Sequence, residues 1–302
     1  MTRRPGAGAG RQRVTRALLR RLALPALDDT GDKESRGRVL VIGGSVQVPG
    51  AVLLAGVGAL RAGAGKLQLA TARVAAVPLA LAVPEAMVVA LPTARDGELA
   101  GARAAAPLRE HATKAQAVLV GPGMAAGRPT YALVAALVPR LGDDATLVLD
   151  GAAVVALRHG AGLLAPLQGR AVLTPHAGEM ASLLEVDKRE IDADPPAAAR
   201  RAAERFGAVV ALKGAESWIA TPDGALYHYR DGVVGLGTSG SGDTLAGIVV
   251  GLAARGADAL TAAVWGVWAH GSAGALLARR TARVGFLARE LLAEVPALVG
   301  GG

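Results

Sequence analysis

Residues 235–248 read GLGTSGSGDTLAGI and set an aspartate among glycines and small hydroxyl residues where an apolar helix begins. Glycines 240 and 242 allow backbone N–H groups to turn into one concavity, and a helix opening at Gly242 adds the positive end of its dipole. A cradle of Gly240, Ser241 and Gly242 holds a phosphate without any cationic side chain. Asp243, in the first turn, is placed to accept a proton from an alcohol. Phosphoryl transfer uses such a base, the protein otherwise positioning the reactants and stabilising charge. The same residues also read as a plain helix cap, with Ser241 or Asp243 bonding first-turn N–H groups. Gly247 and Gly251 weaken the helix, which points to close packing along it and not to cap optimisation.

Three further stretches end apolar runs with functional side chains or open backbone. ALKGAES (211–217) places Lys213 and Gly214 at the carboxyl end of a strand. The lysine can reach phosphate as a point charge with Ser217 as a donor, or the stretch is a surface turn opening a hairpin. LTPHAGEM (173–180) puts Pro175 and His176 before a helix containing Glu179, so His176 either meets a ligand or caps the helix. GPGM (121–124) lets backbone approach a ligand closely, or is a plain turn. Two familiar patterns fail. GAGKL (63–67) lacks the hydroxyl residue after lysine and the upstream glycine of a Walker loop. GPGMAA (121–126), with Asp143 or Asp144 downstream, fits a dinucleotide fingerprint only loosely, and Pro122 is awkward at its turn. The five histidines (111, 159, 176, 228 and 270) have no metal-ligand spacing, and the absence of cysteine excludes disulfides, thiolate zinc and a thiol nucleophile.

The elements that must position these residues are legible as alternating runs. RVLVIGG (38–44), KLQLAT (66–71), AMVVAL (86–91), AQAVLVGPG (115–123), ATLVLDG (145–151), RAVLTPHAGE (170–179) and AVVALKG (208–214) read as strands, several ending in Gly, Asp, His or Lys. GAVLLAGVGALRAGAG (50–65), PTYALVAALVPRL (129–141), AGEMASLLEV and PPAAARRAAERFG (195–207) read as helices, the last with proline at its start and glycine at its end. SWIATPDGALYHYR (217–230) reads as a hairpin, and helices over 242–255, 259–279 and 285–298 close the chain. Continuous apolar strands separated by helices define an α/β fold with a mostly parallel sheet covered on both faces. Ligands in such folds bind beyond the carboxyl ends of the strands.

The 302 residues suffice for one large domain, and a 52% hydrophobic content supports a sizeable core. Aromatics at 3% are too few for base-stacking platforms, which argues against single-stranded nucleic acid. The net charge is +8, but the first 21 residues carry seven arginines and no acid, leaving about +1 for the remainder. The basic character therefore belongs to the N-terminus, and residues 1–30 are expected to form a disordered tail before a domain over 31–300. Pro78, Pro84 and Glu85 interrupt the apolar stretch 74–92, which reads as a helix or loop followed by a short buried strand, not a membrane span. A soluble cytoplasmic protein is expected.

Taken together, GRVLVIGGS (37–45), GAVLLAGVGALRAGAG (50–65), PEAMV (84–88), VLVGPGM (118–124), TPHAGE (174–179), LKGAES (212–217), GTSGSGDTLAGI (237–248) and AHGSAG (269–274) resemble the ribokinase-like superfamily. Within it they resemble the carbohydrate-kinase-related dehydratases of hydrated NADH and NADPH, in the family's order over most of the chain. The resemblance implies a three-layer α/β/α sandwich that dehydrates the S epimer of the C6 hydrate, converting ADP to AMP and phosphate or using ATP, with Mg2+. It implies nucleotide contacts from Lys213, Gly214, Ala215, Glu216, Ser217 and Gly242, and substrate contacts from Ala51, Gly123, His176 and Asp243. It also implies a homo-oligomer, tetrameric in many relatives, and a stand-alone dehydratase where other relatives carry an epimerase domain in front. No nucleic-acid or membrane partner is expected.

Some positions depart from the family pattern. Val48 stands where relatives often have tyrosine, Ser217 replaces a threonine, and Asp150-Gly151-Ala152 replaces Asp-Ala-Asp; Ser239 and Thr244 are milder changes. The alternative function is a ribokinase-like small-molecule kinase of the hydroxymethylpyrimidine or pyridoxal type, which would keep its phosphorylated product. A non-catalytic nucleotide sensor using the basic tail is a third reading.

Overall fold

The computed structural model describes residues 10–26 and 33–300. Ten strands form one sheet among the described residues: β1 (Gln12–Arg13), β2 (Arg38–Ile42), β3 (Lys66–Ala72), β4 (Ala86–Leu91), β5 (Ala117–Val120), β6 (Thr146–Leu149), β7 (Ala171–Leu173), β8 (Val209–Leu212), β9 (Ser217–Ala220) and β10 (Leu226–Tyr229). Their order is β1-β10-β9-β8-β7-β6-β5-β2-β3-β4. From β4 to β8 every pairing is parallel; β9 runs against β8 and β10, and β1 lies parallel to β10. The strand order reverses where β2 pairs with both β3 and β5, and a crevice opens at such a switch point.

The helices are α1 (Arg16–Arg21), α2 (Gly50–Arg61), α3 (Arg73–Ala82), α4 (Ala102–Ala105), α5 (Arg109–Lys114), α6 (Arg128–Leu137), α7 (Ala152–Ala156), α8 (Ala177–Leu184), α9 (Lys188–Ala193), α10 (Pro195–Phe206), α11 (Ser241–Ala254), α12 (Ala259–Arg280) and α13 (Ala288–Val299). They fill two layers. Val39 and Val41 of β2 join one core with α2, α11, α12 and α13, while Leu40 and Ile42 join the other with α6, α8 and α10. Burial on both faces explains why the inner strands are apolar at every position.

Packing between α2 and α11 is backbone on backbone. A Cβ on Gly247 would overlap the main chain of Ala55, and one on Gly251 would sit 2.8 Å from the Cα of Ala59. Glycine is required there for the two helices to approach, which accounts for its cost to helix propensity.

Two expectations need correction. Residues 10–26 are not a loose tail. β1 pairs with β10, Val14, Leu18 and Leu19 are buried, and the indole Nε1 of Trp265 donates to the Leu22 carbonyl at 2.6 Å. The arginines of this segment face outward around a small apolar anchor, so its composition reads as polar while its backbone extends the sheet. Residues 1–9 and 27–32 lie outside the described residues. β4 is an edge strand with Met87 54% exposed, so it is not the buried strand expected. Before it, Pro78 lies within the helix α3. Among the described residues no helix is long and apolar enough to cross a membrane.

Candidate active site

α11 begins at the carboxyl edge of the sheet with Gly240 as its N-cap, in the left-handed region at φ 85°. Within the described residues, the N–H groups of Gly240, Gly242 and Asp243 donate to no protein acceptor. The N–H of Ser241 already bonds the Thr238 carbonyl at 3.2 Å, and its hydroxyl lies 2.9 Å from Nε2 of His270 on α12. Of the expected cradle of Gly240, Ser241 and Gly242, the Ser241 N–H is thus already paired, and the Asp243 N–H joins the donors open to an anion. Burial pulls the His270 pKa down to about 4, helped by the charge of Lys213, so a neutral imidazole holds Ser241.

Asp243 extends from the first turn of α11 with no protein hydrogen bond to its carboxylate among the described residues. Burial, and then repulsion from Asp150, push its pKa up to about 7, against the opposing charge of Lys213. A carboxyl that titrates near neutrality is tuned for proton transfer.

Lys213 stands beside this carboxyl. A Cβ on Gly242 would lie 3.1 Å from its Nζ. Its amine donates to Oδ1 of Asp150 at 2.7 Å, and the same oxygen accepts from the Thr174 hydroxyl at 2.6 Å. Burial disfavours the Lys213 charge, yet Asp150, Glu179 and Asp243 outweigh it and raise the pKa. The ammonium is therefore permanent, pinned at the carboxyl ends of β6 and β8, which flank β7, and 18% exposed. Sequence reading named Asp150 and Lys213 separately; their pairing depends on sheet order and has no local signature.

His176 is the N-cap of α8. Its Nδ1 accepts from Gly178 and Glu179 at 3.0 and 3.2 Å, and Glu179 Oε2 accepts from the His176 N–H at 2.8 Å. The capping reading therefore holds. The ring remains 59% exposed, and a bridge from residue 176 to Lys213 keeps it at the same sheet edge. Ala51 and Gly123 meet at the switch point. A Cβ on Gly123, at φ 66°, would sit 2.9 Å from the Ala51 Cβ and 2.5 Å from the Val48 carbonyl. Gly44 closes the same corner by donating its N–H to the Pro122 carbonyl at 2.7 Å. On the other side, Gly214 and Ala215 are exposed, and Glu216 and Ser217 lead into β9.

Among the described residues no three His, Asp or Glu side chains gather as a metal cage. The donor set suits a magnesium ion carried mainly by nucleotide phosphates and water, with at most the Glu179 carboxylate added.

A half-buried carboxylate beside open backbone N–H groups, at the carboxyl edge of a mostly parallel sheet covered by helices on both faces, belongs to a ribokinase-like fold. The family model described as NAD(P)H-hydrate dehydratase matches residues 39–297, and the chain belongs to that family. It is 54% identical to the ADP-dependent (S)-NAD(P)H-hydrate dehydratase of Xanthomonas campestris pv. campestris, over 95% of both chains. A bifunctional NAD(P)H-hydrate repair enzyme of Moorella thermoacetica is 38% identical over 94% of this chain, which spans only 53% of that longer protein. Among solved structures, the ADP/ATP-dependent NAD(P)H-hydrate dehydratase of Bacillus subtilis, co-crystallised with ATP/Mg2+, superposes with a TM-score of 0.76 at 26% identity, covering 95% of this chain and 97% of that one.

Proposed function

We propose that the chain dehydrates the S epimer of hydrated NADH or NADPH, using ADP and releasing AMP and phosphate. The observation that carries this is the carboxylate of Asp243 in the first turn of α11, among backbone N–H groups open to an anion and beside an ammonium fixed by Asp150. The C6 hydroxyl is a poor leaving group. Asp243 takes its proton as the oxygen attacks the terminal phosphorus of ADP, and the bond from that phosphorus to the AMP oxygen breaks. The N–H groups of Gly240, Gly242 and Asp243 hold the equatorial oxygens, and Lys213 adds a point charge. The C6–O bond of the resulting ester then breaks, pushed by the lone pair of the ring nitrogen, and phosphate departs. Loss of a proton from the neighbouring carbon restores the dihydropyridine ring.

Lys213 to Ser217 and Gly242 face the nucleotide in this reading, while Ala51, Gly123 and His176 face the hydrated dinucleotide. Magnesium, when bound, neutralises the nucleotide's phosphate charge. Homo-oligomeric assembly and a cytoplasmic setting belong to the same proposal. The small-molecule kinase alternative shares the fold and the GSGD chemistry but is the less supported of the two.

The test is recovery of absorbance at 340 nm from hydrated NADH, with ADP and ATP side by side. Recovery with stoichiometric AMP and phosphate is expected, and Asp243→Asn should lower the rate roughly 10²–10⁴-fold. A stable phosphorylated product without recovery would instead identify a kinase.

A further inference from the structure

Glu216 lies inside the turn assigned above to the nucleotide, yet its carboxylate is occupied by protein. Oε2 is 2.7 Å from Nε2 of His228, and Oε1 accepts from Nε of Arg230 at 3.0 Å. His228 has a side chain only 2% exposed. Burial lowers its pKa despite the carboxylate, and the hydrogen bond from His228 leads the causes that lower that of Glu216. The pair is therefore a neutral imidazole donating to a carboxylate.

The imidazole is fixed from two further directions. Trp218 and His228 are cross-strand partners in the β9–β10 hairpin, and their rings stack at 3.8 Å with an 8° interplanar angle. Arg11 places its guanidinium 5.0 Å from the centroid of Trp218. The backbone of His228 is also tied to the N-terminal segment. Its carbonyl accepts from Val14 N at 2.9 Å, and Arg13 pairs with Asp231 at 3.0 Å.

Between Lys213, pinned by Asp150, and Ser217, fixed at the start of β9, the turn has few anchors of its own. Gly214 and Ala215 are exposed and carry no functional side chain. Glu216 is the anchored side chain of the three. A turn ordered before its ligand arrives spares the ligand the entropy of ordering it.

We propose that Arg11, Trp218, His228 and Arg230 form a positioning relay that sets the 213–217 turn through Glu216, so that the N-terminal strand governs adenine-nucleotide affinity. This rests on the reading of that turn as the nucleotide site. These residues act through Glu216 and are positioning residues.

The test is calorimetric binding of ADP to the full chain, alongside steady-state kinetics. Arg11→Ala removes the cation over Trp218 and is expected to weaken ADP binding about 2–5-fold. His228→Phe keeps an aromatic stack but loses the bond to the carboxylate, and is expected to cost roughly 10-fold or more. Arg11→Lys should restore most of the Arg11→Ala loss. In all three, KM for ADP should follow the binding, while kcat and KM for the hydrate stay within about twofold of wild type. Should His228→Phe fail to fold, the surface pair Arg11→Ala and Arg11→Lys still decides. Variants that melt earlier but bind ADP as wild type does would overturn the relay and leave the function standing. A wild-type chain that binds neither ADP nor ATP would overturn the function on which the relay rests.

Discussion

In the proposed function Asp243 serves reactivity at the expense of stability. Its carboxyl binds a proton far more tightly folded, with a pKa of about 7, than at its ordinary value of 3.8. The folded state therefore holds the extra proton between those values, and stability falls as pH rises from about 4 to about 7. Asp243→Asn should melt several degrees higher than wild type at pH 8 and show no gain at pH 3.5, as thermal unfolding at the two pH values would reveal. The same carboxyl sets the acid limb of kcat/KM, with a midpoint near 7. Its neighbours move that limb in opposite directions. Lys213 lowers the Asp243 pKa and Asp150 raises it. Lys213→Met should shift the midpoint upward and Asp150→Asn downward, both read from pH profiles of whatever rate remains. A shift of either in the wrong direction would show that the cluster is wired differently.

At the scale of elements, the decisive contact is between α2 and α11. α11 carries Asp243 and the open N–H groups, and α2 opens beside Ala51 and Gly123, so in the proposed function their spacing sets the distance between the base and the substrate side of the cleft. Gly247→Ala pushes a methyl group into the backbone of Ala55. We expect a loss of about 1–3 kcal/mol in urea denaturation, with activity falling further than the folded fraction does. The elements themselves were largely readable. Strands such as VLVI of β2 and AVLV of β5 are buried on both faces and so appear as unbroken apolar runs. GSGD before an apolar helix was equally legible, because the tight turn and the helix start demand those residue types locally. The short helices α4, α5, α7 and α9 were not, being too brief for a periodic signal. Nor was the Lys213–Asp150 pair, whose partners stand 63 residues apart and meet only through the order of β6, β7 and β8. Glu216 was named by resemblance to the family, but its neighbours His228 and Trp218 face each other only through hairpin register.

At the scale of the whole molecule, the N-terminal segment departs from its sequence signal for a physical reason. A two-residue strand, Gln12–Arg13, has no apolar alternation, and its pairing is dictated by the free edge of β10. Its anchoring is nonetheless substantial. Val14, Leu18 and Leu19 are buried, each worth about 1.5–3 kcal/mol when taken fully out of water. Removing residues 1–22 should therefore destabilise the fold by on the order of 5 kcal/mol in equilibrium denaturation, where a loose tail would have cost nothing.

That edge also orders events in time. Arg13 meets Asp231, 218 positions later in the chain. The segment around Arg13 must then wait, unmated, until Asp231 and the hairpin before it have been synthesised. During that interval the growing sheet lacks the strand that borders β10, and the edge formed by β1, β10 and β9 is completed among the final acts of folding.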